Sequence, residues 1–260
     1  MTRSSAFASL LALAVLAGAS LALAKAGDDG AGQSGRTLRL PGLPPIPLPP
    51  GARVFGPGGP RFDDPALARR DKPVAPRAER PLAPHRRPPE RTSQGGPQAL
   101  RARLLDTLFQ RLRKSDDDNE AEGVAGAIER VWLDSGSDTA DLLMSRAIAA
   151  MRLKKYSLSQ TLLGKIVEID PKWSEAWNQR ATVRFLAKDF PGAMADLDHV
   201  LALEPRQFEA LAEVGFILRS YDKKKDALLV FRKVLQLYPR LEIIKKIVGK
   251  LQIEVEGRDI

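Results

Sequence analysis

The alternation of apolar and polar residues after residue 98 is helical, and the same alternation recurs along the chain. Its middle part runs through Trp177 and Ala181, breaks at the polar stretch 188–191, and resumes at Ala193 and Leu197. Apolar residues three or four positions apart form one face of a helix. Each such stretch therefore predicts two helices joined by a short turn.

Prolines mark the ends of these helix pairs. Pro171, Pro205 and Pro239 follow one another at equal intervals. A proline stops the helix before it and turns the chain. A period of this length, roughly 34 residues, is typical of helix-turn-helix solenoids. The three windows fill 138–239, approximately as 140–173, 174–207 and 208–241.

Within each window, a large residue, a small residue, a second small residue, another large residue and the closing proline occupy matching positions. This pattern resembles the tetratricopeptide repeat family of the exported bacterial type. The resemblance implies an all-α fold, a short α-solenoid of helical hairpins, in which the small residues let the two helices of a hairpin approach closely. The matching positions are Leu143, Ala147, Ser159, Leu163 and Pro171; Trp177, Ala181, Ala193, Leu197 and Pro205; and Leu211, Gly215, Ala227, Phe231 and Pro239. Arg180 and Arg184 depart from the pattern because they stand where it has apolar residues.

Both ends of such a stack need a cover, since a stacked hairpin leaves its outer face apolar. Two apolar stripes within 98–137 predict a divergent N-terminal hairpin, and a further stripe within 240–260 predicts a capping helix. The pair Val248-Gly249 resembles the small-residue crossing of another repeat.

The stretch 1–26 has the features of a signal peptide. Arg3 precedes the uncharged Ala/Leu run 6–24, and small residues at 22–26 favour cleavage after Ala26, with Ala24 as the alternative. This predicts a periplasmic or secreted protein. The alternative is an uncleaved segment that anchors the chain in the inner membrane.

Residues 27–97 hold 16 of the 20 prolines and few periodic apolar residues. Such a composition predicts a disordered Pro/Arg/Gly-rich linker that stays extended. Its simplest role is a spacer. Spacings such as Pro73/Pro76 among arginines also allow a ligand strip, and its 12 basic against 7 acidic residues allow attraction to anionic lipid or envelope polymer.

The formal net charge of +9 does not indicate nucleic-acid binding. Residues 98–260 carry 27 basic and 25 acidic side chains, so the predicted solenoid is nearly neutral and lacks the basic face that a phosphate backbone requires.

The residue inventory indicates no enzyme, no cofactor and no metal site. The chain has no cysteine, and its two histidines, His85 and His199, lie in different segments, with His199 expected on the surface of a helix. Asp196 and Asp198 stand two apart on a helix and point to different faces, so they do not form a catalytic pair.

The family resemblance implies that the first helix of each hairpin lines a concave groove for a protein segment. We therefore predict a non-catalytic protein–protein interaction scaffold in the bacterial cell envelope. The alternative is an envelope tether whose basic Pro-rich segment docks to anionic lipid or polymer, and a third is self-association of the repeats. The predicted groove residues are Met144, Ile148, Met151, Arg152, Asn178, Thr182, Phe185, Phe216 and Arg219.

Overall fold

The computed structural model describes residues 37–40, 42–47 and 96–257, and within these residues it is built almost entirely of helices. The predicted signal peptide and most of the Pro-rich segment lie outside the described residues. The helices of the described part are α1 Pro97–Lys114, α2 Asp118–Leu133, α3 Asp138–Arg152, α4 Tyr156–Ile169, α5 Ser174–Leu186, α6 Phe190–Leu203, α7 Phe208–Ser220, α8 Lys224–Leu237 and α9 Glu242–Glu256.

Three antiparallel hairpins, α3–α4, α5–α6 and α7–α8, stack in chain order as predicted. The second helix of each packs on the first helix of the next, and the first helices α3, α5 and α7 also lie side by side. We call the surface that α3, α5 and α7 share the first-helix face. The predicted all-α solenoid is confirmed.

The turn inside each hairpin also follows the repeat. Lys154, Lys188 and Asp222 keep the same spacing as the closing prolines, and all have positive φ, at 57°, 64° and 57°. In each turn the N–H of the next residue reaches back five positions, as in the bond from Lys155 to the carbonyl of Ala150. This is the left-handed C-terminal cap that ends a helix abruptly.

The small residues act where the pattern placed them. Ala147, Ala181, Ala193 and Ala227 are fully buried. Gly215 lies so close to the Phe231 ring that an added Cβ would stand 2.5 Å from it. The α7–α8 crossing therefore depends on the absence of a side chain at Gly215.

The N-terminal hairpin α1–α2 forms, but it does not simply extend the stack as one more repeat. Helix α2 packs on α5, and helix α1 packs on α8 of the next hairpin along. Asp117 caps α2 by accepting from the N–H of Glu120 at 2.7 Å. The described hairpin is divergent, as predicted, but it lies across the solenoid and not simply over the N-terminal end of the stack.

A short antiparallel pair of strands, β1 Thr37–Leu38 and β2 Ile46–Pro47, packs against the solenoid. Leu38, Leu40 and Ile46 are buried, and Lys223 donates to the carbonyl of Pro47 at 3.1 Å. Three apolar side chains so close together in the chain offset the ordering of this piece. The prediction of a wholly extended segment over 27–97 is therefore wrong for the described residues 37–40 and 42–47.

Helix α9 packs on α8 and buries Ile244, Ile247 and Leu251, which matches the predicted capping helix. An added Cβ at Gly249 would meet nothing within 4 Å, so the resemblance of Val248-Gly249 to a small-residue crossing does not extend to the packing of the described residues. None of the helices in the described ranges is long and apolar enough to cross a membrane.

Candidate functional site

The N-terminal hairpin is held along the edge of the solenoid where the inter-repeat turns lie. Arg206 and Arg240 each follow a closing proline, and they reach the hairpin from successive turns. Arg206 forms an ion pair with Asp106 at 2.6 Å. Arg240 donates to the carbonyls of Ser115 and Asp116 and pairs with Asp118 at 3.2 Å. Cations placed one repeat apart therefore fasten the middle of α1 and the turn between α1 and α2.

Aromatic rings fill the seam beneath this hairpin. Trp132 of α2 lies 5.3 Å from Phe208 of α7, and Phe109 of α1 lies 6.4 Å from Phe208, measured between ring centroids. Trp173, at the start of α5, donates its indole N–H to the carbonyl of Trp132 at 2.7 Å. The hairpin therefore covers the end of the first-helix face at which α5 and α7 begin.

Beside this seam, four carboxylates come together. Glu175 lies in the first turn of α5 and Glu209 in the first turn of α7, where a helix N-terminus favours negative charge. Glu213 stands one turn further along α7, and Glu129 comes from α2 of the covering hairpin. We call these four residues the carboxylate cluster.

Amide and hydroxyl groups hold three of the four carboxylates. Glu175 accepts from Gln179 and from Gln207, each at 2.6 Å, and from Asn178 at 3.2 Å. The same Asn178 amide reaches Glu209 at 3.0 Å, and Thr182 donates to Glu213. The first helices α5 and α7 are thus joined through polar side chains.

Burial is the largest cause that raises the pKa of every member of the cluster. It raises the pKa of Glu175 to about 7 and that of Glu213 to about 8. The pKa of Glu209 lies well above its ordinary value, through burial and then the neighbouring Glu175 and Glu129. The pKa of Glu129 is raised to about 7 by burial and by Glu175. Simultaneous ionisation of the four carboxyl groups in the cluster is therefore unfavourable.

Several acceptor atoms at this place have no donor among the described residues. They are Oε1 of Glu129, Oδ1 of Asn178, Oε1 of Gln179, Oε1 of Gln207 and Oε2 of Glu213. Buried polar atoms normally have a partner. One buried donor in the adjoining seam, Nε1 of Trp132, also lacks a partner among the described residues.

The predicted groove residues divide into two groups. Met144, Met151, Asn178, Thr182 and Phe216 are buried, Asn178 and Thr182 by the polar contacts between α5 and α7. Ile148 and Phe185 are half-buried, and Arg152 and Arg219 are exposed. Neither arginine forms an ion pair with another described residue. Their role in binding a partner stays a prediction.

Two signals in the sequence point to residues that the repeat pattern alone misses. Lys172, Arg206 and Arg240 each follow a closing proline and so recur once per repeat, and Glu175 and Glu209 keep the same interval. Residues that repeat at the period of the fold lie in a row on one side of a solenoid. The first row includes the two arginines that fasten the hairpin, and the second contributes two of the clustered carboxylates.

Arg180 and Arg184 have a structural partner rather than a functional one. Both pair with the fully buried Asp196 at 2.7 Å. Arg180 also stacks over Trp177, whose other neighbour is His199 at 3.9 Å between ring centroids. His199 is therefore partly buried against a ring, whereas a surface position was predicted.

The described side chains contain no group of three or more acids or histidines arranged to hold a metal ion. A cleft of about 620 Å³ between α1 and the turns at 134–136 and 170–174 is lined by Arg101, Trp132 and Lys172, among others. Ser135, which also lines this cleft, donates through its hydroxyl and its N–H to the carboxylate of Asp141 in the first turn of α3.

Stacked hairpins of equal length with a shared first-helix face define a helical-repeat solenoid. A tetratricopeptide repeat-containing protein of Rhizobium etli is 33% identical over 153 residues, which cover 59% of this chain and 75% of that protein. The chain belongs to the tetratricopeptide repeat family. No protein-family model matches it.

Other similarities cover smaller parts. Human RNA polymerase II-associated protein 3 is 30% identical over 83 residues, 32% of this chain and 12% of that protein. Among solved structures, the Arabidopsis OM64 TPR domain has a TM-score of 0.43 at 17% identity, covering 45% of this chain and 96% of that one. The MamA protein has a TM-score of 0.43 at 16% identity, covering 61% and 85%. Members of the family are typically non-catalytic modules for protein–protein interaction.

Proposed function

We propose that this chain is a non-catalytic scaffold of the bacterial cell envelope that binds a protein segment along its first-helix face. The observation that carries the proposal is the end of this face that the described hairpin α1–α2 leaves uncovered. There Ile148 and Phe185 are half-buried, while the exposed Arg152 and Arg219 form no ion pair with another described residue. Apolar anchors beside unpaired guanidinium groups suit a helix or extended peptide that carries a carboxylate.

The envelope location is supported by the sequence of residues 1–26, which has the charge and small-residue pattern of an export signal. Fractionation of cells that express the full chain with a C-terminal tag tests the location. Recovery in the periplasmic fraction, at a mass shortened by about 24 to 26 residues, is the expected result. Recovery of unshortened chain in the cytosolic fraction contradicts it.

The binding surface is tested by charge reversal. The full chain is immobilised, incubated with envelope extract, and the captured proteins are identified by mass spectrometry. Arg152→Glu should remove at least one protein that the unaltered chain captures, because it turns an attractive contact into a repulsive one.

Arg146→Glu is the matched control, since Arg146 is also exposed but lies on another side of the same helix α3. It should leave the captured set unchanged, and circular dichroism should show the same helicity for both variants. Equal capture by the unaltered chain and Arg152→Glu contradicts binding at this surface.

A further inference from the structure

The hairpin α1–α2 covers the carboxylate cluster with a side chain of the same sign of charge. Glu129 of α2 approaches a site that already holds Glu175, Glu209 and Glu213, and no ion pair among the described residues includes any of the four. A like charge placed beside buried like charges is unfavourable, whereas a cation there would be favoured. The hairpin therefore places a further acidic side chain at the end of the first-helix face where a positive charge would be favoured.

The unpaired acceptors point the same way, independently of the charges. Asn178, Gln179 and Gln207 are each more than nine-tenths buried, and each has a side-chain oxygen without a donor among the described residues. Carboxylate and amide oxygens that lack donors match a group with several N–H donors and no acceptor. Guanidinium and ammonium groups are the side-chain groups of that kind.

We propose that the carboxylate cluster binds an arginine or lysine side chain of the partner segment, and that the hairpin α1–α2 is the intramolecular occupant that this segment displaces. The inference rests on the proposed function and adds to it the chemistry of the partner. Because the arginines of the uncovered end attract an acid, the partner carries a base and an acid at opposite ends of its bound segment.

Besides the buried aromatic seam at Phe109 and Trp132, the hairpin is held by contacts outside the cluster. Arg206 and Arg240 hold it at partly exposed ion pairs on the edge, where each contact contributes modestly and is weakened by salt. We call the ion pairs of Arg206 and Arg240 the latch. Release of the hairpin breaks the latch and exposes the aromatic seam, so the latch and the seam together set how readily a partner reaches the cluster.

One test replaces Glu129, the side chain that the hairpin places at the cluster. In the full chain, Glu129→Lys supplies the missing cation from α2 and should raise Tm by roughly 2–4 °C. Glu122→Lys, at an exposed position of the same helix, is the control and should leave Tm unchanged. If no acidic site were present to pair with the new lysine, reversing the charge at this position would lower the stability. An unchanged or lower Tm for Glu129→Lys therefore overturns the proposal.

A second test uses two labelled peptides and does not depend on the fold of that variant. Both are amphipathic Ala/Leu peptides, one with a single arginine and the other with glutamine in its place. Fluorescence anisotropy with the full chain should show at least about tenfold tighter binding of the arginine peptide, since a charge-assisted hydrogen bond contributes that much. Glu213→Gln should reduce this preference.

The latch is tested in the same assay. Arg240→Ala should tighten binding of the arginine peptide, whereas Arg232→Ala, which removes an exposed ion pair with Glu256 away from the hairpin, should not. Equal affinity of the two peptides overturns the cation site but leaves a peptide-binding face intact. Binding of neither peptide, even to Arg240→Ala, overturns the proposed function as well.

Discussion

Asp196 lies fully buried inside the hairpin α5–α6, where its carboxylate receives two arginines. Arg180 donates to it through two nitrogens at 2.7 and 2.9 Å, and Arg184 pairs with it at 2.7 Å. In the sequence, Arg180 and Arg184 stand out only as departures from an apolar pattern. Their partner lies on the other helix of the hairpin, so the pairing depends on the packing of two helices.

Asp196→Ala should be strongly destabilising, because it leaves two guanidinium groups without the carboxylate that offsets their burial. We expect a loss of about 3–5 kcal/mol in the free energy of unfolding. Glu168→Ala, which removes the exposed pair with Lys165, should cost less than about 1 kcal/mol. Urea denaturation followed by circular dichroism measures both, and similar losses would contradict the role of Asp196.

At the scale of helices, the sequence predicts the helices themselves but not the position of every helix in the fold. The helices of the repeats follow from apolar spacing and closing prolines, which act within a few residues. The position of α1–α2 depends on contacts such as Arg206 with Asp106 and Arg240 with Asp118, which are 100 and 122 residues apart. Apolar stripes indicate that a helix needs a partner surface, but they do not indicate which surface.

Gly215, which belongs to the repeat pattern, and Gly249, which only resembles it, also differ in their packing in a way that the local sequence does not show. The two glycines can be tested as a pair. Gly215→Ala should destabilise the solenoid by about 1–3 kcal/mol, because its Cβ would overlap the Phe231 ring in a packed crossing. Gly249→Ala meets open space within a helix and should be neutral or stabilising by up to about 1 kcal/mol. Thermal unfolding of both variants checks this, and equal shifts would show that the α7–α8 crossing is not tight.

Over the whole molecule, the hairpin α1–α2 joins parts of the chain that the repeat order keeps apart. Its aromatic residues Phe109 and Trp132 belong to the same buried core as Phe208 and Tyr238. The carboxylates that this arrangement buries make stability depend on pH. A glutamate in the unfolded chain titrates near 4.5, whereas Glu175 and Glu213 in the folded chain have pKa values of about 7 and about 8.

Because the folded state binds these protons more tightly, its stabilisation is complete below about pH 4.5 and is lost as pH rises through the raised pKa values. Glu129 and Glu209 act in the same direction. The half-buried Glu120, whose pKa is lowered by Arg111, acts in the opposite direction and is partly screened by solvent. We therefore expect Tm at about pH 8.5 to lie at least about 5 °C below Tm at about pH 5.5.

The double variant Glu175→Gln/Glu213→Gln separates the carboxylate cluster from other causes of this pH dependence. Glutamine keeps the size and one acceptor of each side chain but does not ionise, so the difference in Tm between the two pH values should shrink. Glu122→Gln/Glu254→Gln, at exposed positions of α2 and α9, should leave the difference as it is in the unaltered chain. A pH dependence that survives unchanged in the first pair would place its origin at groups other than Glu175 and Glu213, such as Glu129, Glu209 and Asp198, whose pKa values burial also raises.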